Sequence, residues 1–240
     1  MTVYTAWTGS LADVYSHRYG RIAQDFFRTV VEPSLEALHR QRGEWSMSPD
    51  PAAVFGLVDL MELINKTNMA FCLSIQSLWE QQIRSYLKDC VRYLELDVPM
   101  GEIEHAKWGD SLNSMFYRIR GIHLPSFDSY ATFDLLQLLA NACRHGDGNS
   151  SRKLWGAHPE LWPSKESYSW LHPASASPPL IQHVQISREL LEEFVTAIVW
   201  FWDDIRYEYT GSLESNNPHV EADLVRMRAE KAIRVRRTPL

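Results

Sequence analysis

No run of about 18 uninterrupted apolar residues occurs anywhere in the chain, so no membrane span is expected. The opening MTVYTAWTGSLADVYSHRYG lacks a basic start followed by an apolar stretch, which argues against a secretory signal. Cysteine is scarce: Cys72, Cys90 and Cys143 are an odd number, far apart, with no Cys-x-x-Cys pair. That excludes a disulfide frame and a zinc cluster, and reads as reduced thiols in a cytoplasmic protein. Gly-x-Ser-x-Gly is absent, so a serine nucleophile has no support, and Cys143 sits at the edge of an apolar helix face, as a core residue does. His145, Asp147, His158, His172 and His183 match no metal-ligand spacing, so neither a metal nor another cofactor is expected. Internal repeats and low-complexity tracts are also missing.

What the 240 residues do contain is core material, with 45% hydrophobic residues, 12% aromatics and nine Trp. The net charge of −6 argues against a wholly basic nucleic-acid binder. The charge is uneven, however. From Leu224 to Leu240, six basic residues face Glu230 alone, a net +5 that leaves −11 on the rest. Such a tail is either solvated or in contact with nucleic acid or an acidic partner.

Apolar periodicity predicts an all-α chain of five or six helices. Ser10 to Arg40 reads as one amphipathic helix with Leu11, Val14, Tyr15, Ile22, Phe26, Val30 and Leu38 inward. Pro33 should kink or divide it and push Glu32 out of helical geometry. Gly43 to Ser48 is a break. Asp50 and Pro51 form a helix start, and that helix should run to about Lys66. Asn68 to about Leu96 comes next as a helix of roughly 43 Å, with Glu80 set to pair with Arg84. A shorter helix from Trp108 ends at Gly121. Gly146 to Ile186 is irregular and proline-rich, with Trp155, Trp162, Tyr168 and Trp170 either covering the core or stacking on bases, and a short strand at Leu180 to Ile186. Ser187 caps a final aromatic helix that ends at Gly211.

Tyr130 to Leu154 carries the chemistry. Leu135, Leu138, Leu139 and Ala142 make one helical face, while Asp134, Gln137, Asn141 and His145 make a polar stripe beside it. Gly146 can take the left-handed conformation that ends a helix, and Asp147 to Ser150 read as a tight polar loop. A stripe of this kind either meets water or forms a site. Arg144, Arg152 and Lys153 cluster around it, and an imidazole, an amide and local positive charge suit a phosphodiester.

Three stretches together, SLWEQQIRSYL on the long helix, LLANACRHGDG followed by SSRKL, and the aromatic closing helix, resemble the HEPN superfamily of helical bundles. The resemblance covers about Asn68 to Tyr209. It implies an N-terminal helical extension over 1–66, a HEPN-like bundle over 67–212 with a long irregular loop before its last core helix, and a basic tail over 213–240. Many members are dimeric, metal-independent endoribonucleases of defence and toxin–antitoxin systems. The implied function is RNA binding or cleavage by a homodimer, with an antitoxin or defence protein as a further partner. The alternative is a catalytically inactive dimer that binds protein or nucleotide. The family's Asn and His positions fall on Asn141 and His145, with Arg144, Arg152, Lys153 and Gln137 as substrate-binding candidates, and its Arg position falls on Ala140.

Overall fold

The computed structural model describes residues 7–163, 179–213 and 217–237, with side chains through Arg234. The fold is all-α, and no strand occurs among the described residues. The helices are α1 (Leu11–Phe26), α2 (Glu32–Ser46), α3 (Ala53–Tyr93), α4 (Met100–His105), α5 (Asp110–Arg120), α6 (Tyr130–His145), α7 (Asn149–Ala157), α8 (Arg188–Ser212) and α9 (Pro218–Arg237). Among the described residues no helix is long and apolar enough to cross a membrane. The chain folds as two compact units built from interleaved segments. One comprises Met1–Ile22, Trp79–Ala131 and Ala197–Leu240, the other Ala23–Leu78 and Thr132–Thr196.

The first unit has an aromatic centre. Trp202 is 2% exposed, and its ring lies within 4.9 to 6.0 Å, centroid to centroid, of Tyr19, Phe201, Tyr86 and Trp79. Its indole N–H donates to Gln82 Oε1 at 2.8 Å, and Gln82 Nε2 donates to the Tyr19 carbonyl at 3.1 Å. The buried face of α1 is not the one that apolar spacing predicts. Leu11, Val14, Tyr15 and Ile22 are exposed, while Ala12, Asp13, Ser16, Tyr19 and Gly20 turn inward. The reason is close helix approach: a Cβ on Gly20 would stand 3.3 Å from the Val199 Cα of α8. Burying Asp13 is tolerated because Arg120 and Tyr86 reach it.

The basic C-terminal segment is a helix whose charge is partly answered within the first unit. Lys231 pairs with Asp204 at 3.0 Å, and Arg234 pairs with Asp203 at 2.6 Å. Arg236 and Arg237 have side chains outside the described set. Residues of α8 and α9 together line a cavity of about 140 Å³. Burial raises the carboxyl pKa of Asp204, with Lys231 and Arg234 opposing it and Asp128 adding to it; burial raises Glu208 in the same way. A carboxyl that holds its proton more tightly folded than unfolded stabilises the fold at low pH, and that contribution is lost as pH rises through the raised value. Asp204→Asn should therefore gain stability relative to the unsubstituted chain as pH is raised from about 4 to 7. Chemical unfolding at several pH values measures this, and a difference independent of pH would contradict it.

The second unit holds the first half of α3. The predicted break near Lys66 does not occur, and 41 residues form one helix because Thr67 and Asn68 carry no cap or proline to stop it. Gly43 likewise lies inside α2 and is not a break. The sequence from α1 to α2 is continuous through a π-helical segment, Phe27–Val31, immediately before Glu32 and Pro33. That wider turn accommodates the proline ring and its missing N–H, so Glu32 stays helical at φ −58° and ψ −52°. Other local signals hold: Asp50 Oδ1 accepts from the Ala52 N–H, Ser187 Oγ accepts from the Leu190 N–H, and Gly121 takes the left-handed conformation after α5. Glu80 and Arg84, at 3.9 Å, pair as expected.

Candidate functional site

The site residues all belong to the second unit, on α6 and α7. Helix α6 buries Phe133, Leu136, Leu139, Ala140 and Ala142, a face rotated from the predicted one, since Leu135 and Leu138 are only half-buried. Asp134 and His145 are exposed, and Gln137 and Asn141 are half-buried. The polar stripe thus exists and opens towards its C-terminal end. Gly146, at φ 69°, ends the helix as its sequence predicts, with its N–H bonded to the Ala142 carbonyl at 2.9 Å.

Beyond Gly148 the chain is helical, where a loop was expected. Asn149 to Ala157 form α7, which buries Ser151 and Leu154 and leaves Arg152 and Lys153 on the outer side. The expected tight turn survives only as Gly146 to Gly148. The Asp147 carboxylate is occupied there, accepting the Ile181 N–H at 2.7 Å. This bond also accounts for the missing strand at Leu180 to Ile186. Ile181–His183 is a 3-10 turn, held by Asp147, by Trp162 donating to the Leu180 carbonyl, and by Gln185 N–H donating to the Leu161 carbonyl. Trp155 and Trp162 pack edge to face at 5.3 Å, so these two do cover core. Tyr168, Trp170 and His172 lie outside the described residues.

Two of the candidates are drawn together through a residue that the sequence did not flag. Gln76 of α3 is 1% exposed; its Nε2 donates to Gln137 Oε1 at 3.0 Å, and its Oε1 accepts from Arg144 Nη2 at 3.0 Å. Arg144 is about 100° around the helix from His145. Arg152 donates to Asn149 Oδ1 at 3.2 Å. Among the described residues, none of Arg144, His145, Arg152 and Lys153 forms an ion pair. All four are exposed, Arg144 and His145 in the last turn of α6 and Arg152 and Lys153 in the middle of α7.

Chemically, the arrangement offers positive charge and one imidazole. Ala140, the position that the HEPN resemblance gives to arginine, is fully buried at 0%. No group of three His, Cys, Asp or Glu able to hold a metal occurs among the described residues, and His158 is spent on Glu160 at 3.0 Å. Below the stripe, Cys143 is a half-buried free thiol and Cys72 of α3 a buried one. No family model, no curated protein and no solved structure matches the chain.

Proposed function

We propose that the turn between α6 and α7 binds RNA through its phosphate backbone. The observation that carries this reading is the set of four exposed side chains, Arg144, His145, Arg152 and Lys153, standing without acidic partners among the described residues of a chain of net charge −6. Unmatched cations gathered at one place favour an anionic ligand. RNA, in preference to DNA, rests on the HEPN resemblance, which also makes a homodimer in the cytoplasm part of the proposal. His145 carries the one imidazole of the four, the group suited to general acid–base work, so any cleavage of the ribose–phosphate link would pass through it. The buried Ala140 favours the second reading, a HEPN-like binder without cleavage, because no arginine stands where the resemblance wants one.

Fluorescence anisotropy with a labelled single-stranded RNA tests the reading. Three arginine or lysine contacts to phosphate correspond to a slope of log affinity on log salt of about −2. The double variant R152E/K153E should weaken binding at least about tenfold and flatten that slope. Unchanged affinity in this variant would overturn the proposal. In the same preparations, His145→Ala should keep most of the binding and abolish any cleavage; cleavage that persists would place the chemistry elsewhere.

A further inference from the structure

We infer that Gln76 is a positioning residue: its neutral amide anchors Arg144 and leaves the guanidinium charge uncompensated for a phosphate of RNA. The inference rests on the function proposed above and gives a role to a residue outside the exposed set. Gln76 lies on α3, where Cys72 and Ile75 beside it are fully buried, and it is itself 1% exposed. A buried amide is costly unless its polar atoms are bonded. Here both ends are used. Arg144 Nη2 donates to Gln76 Oε1 at 3.0 Å, and Gln76 Nε2 donates to Gln137 Oε1 at 3.0 Å. An arginine can only donate, so the oxygen of Gln76 faces Arg144 and its NH2 group faces Gln137. One buried amide thus spans two residues about two turns apart on α6.

The charge of the anchor decides what Arg144 can do. Arg118, Arg120 and Arg188 are held by carboxylates, those of Glu102, Asp13 and Glu32. A carboxylate partner cancels the cation it holds. An amide oxygen accepts the same kind of hydrogen bond and cancels nothing. Arg144 is exposed and forms no ion pair among the described residues. A side chain already restrained at one nitrogen loses less freedom when a ligand binds. Its fork also matches the paired oxygens of a phosphate. Glutamate at position 76 would keep the shape of the anchor and cancel the charge.

The test compares Gln76→Glu with the unsubstituted protein in two measurements. The first is phenylglyoxal labelling of the free protein, read by peptide mass spectrometry. The reagent attacks the deprotonated guanidine, and a carboxylate partner stabilises the protonated form. Arg144 labelling should slow about threefold or more in Gln76→Glu, with Arg152 as the unchanged reference. The second is anisotropy with single-stranded RNA. Gln76→Glu should weaken binding about three- to tenfold and flatten the salt slope by about 0.7, the loss of one phosphate contact. Q76E/R144A should bind no worse than Arg144→Ala, because the new carboxylate then has no guanidinium to neutralise. Gln76→Met, which cuts both bonds and adds no charge, should lose part of the affinity and keep the full slope. Four results would each overturn the inference and leave the proposed function standing. These are RNA binding that Gln76→Glu leaves unchanged, equal Arg144 labelling in the two proteins, a further loss in Q76E/R144A beyond Arg144→Ala, and a Gln76→Met slope as shallow as that of Arg144→Ala. Absence of RNA binding by the unsubstituted protein would overturn both.

Discussion

Replacing Asp13 with alanine should lower the free energy of unfolding by about 3 to 5 kcal/mol, the range for removing one partner of a buried ion pair. Asp13 is 0% exposed and Arg120 is 3% exposed. Arg120 Nη2 reaches both carboxylate oxygens, at 3.1 and 3.3 Å. The Tyr86 hydroxyl donates at 2.7 Å, and the Ser10 N–H donates at 2.7 Å. The Arg120 guanidinium also lies 3.7 Å from the Trp7 ring centroid. Without Asp13 the guanidinium is left buried with aromatic faces for company, and it cannot shed its charge. Arg120→Met should cost less, because Asp13 keeps the Ser10 and Tyr86 donors. The double variant D13L/R120M should recover part of the loss by replacing the pair with apolar contacts. Urea unfolding of the four proteins measures this. A single Asp13→Ala loss under about 1 kcal/mol would show that the pair does not hold the first unit together.

Truncation of Trp202 should be as severe. Large aromatic residues cut to alanine in a packed core cost about 3 to 5 kcal/mol through lost transfer energy and the cavity left behind. Trp202 touches four aromatic rings and closes the Gln82 bridge to Tyr19, so little around it can collapse inwards. Trp202→Phe should lose about 1 to 3 kcal/mol, since the ring volume is largely kept while Gln82 Oε1 loses its donor in a buried place. Calorimetry separates the two substitutions; equal losses would assign the whole effect to the hydrogen bond and none to the packing.

Capped helix ends were legible from the sequence, because caps are local chemistry, whereas the breaks read at Gly43 and near Lys66 do not occur. Gly146, Gly121, Asp50 and Ser187 all act as their residue types suggest. Helix faces were harder to read. On α1 Leu11, Val14, Tyr15 and Ile22 stay outside while Ala12, Asp13, Ser16 and Tyr19 are buried, because Gly20 permits the backbone of α8 to approach and Arg120 compensates Asp13. Neither partner is visible from the periodicity of α1 alone. The same limit applies at the candidate site. Asn141 and His145 share a stripe by spacing, but Gln76 joins Gln137 to Arg144 from α3, over 60 residues earlier in the chain.

Photochemical cross-linking of the protein to a uridine-containing RNA, with the linked peptides read by mass spectrometry, tests the central claim most directly. The expected result is cross-links concentrated in the peptides spanning Asn141 to Trp155, and their loss in R152E/K153E at equal RNA concentration. Cross-links confined to α9, whose cations are already partly engaged by Asp203 and Asp204, or cross-links that persist unchanged in the variant, would contradict it.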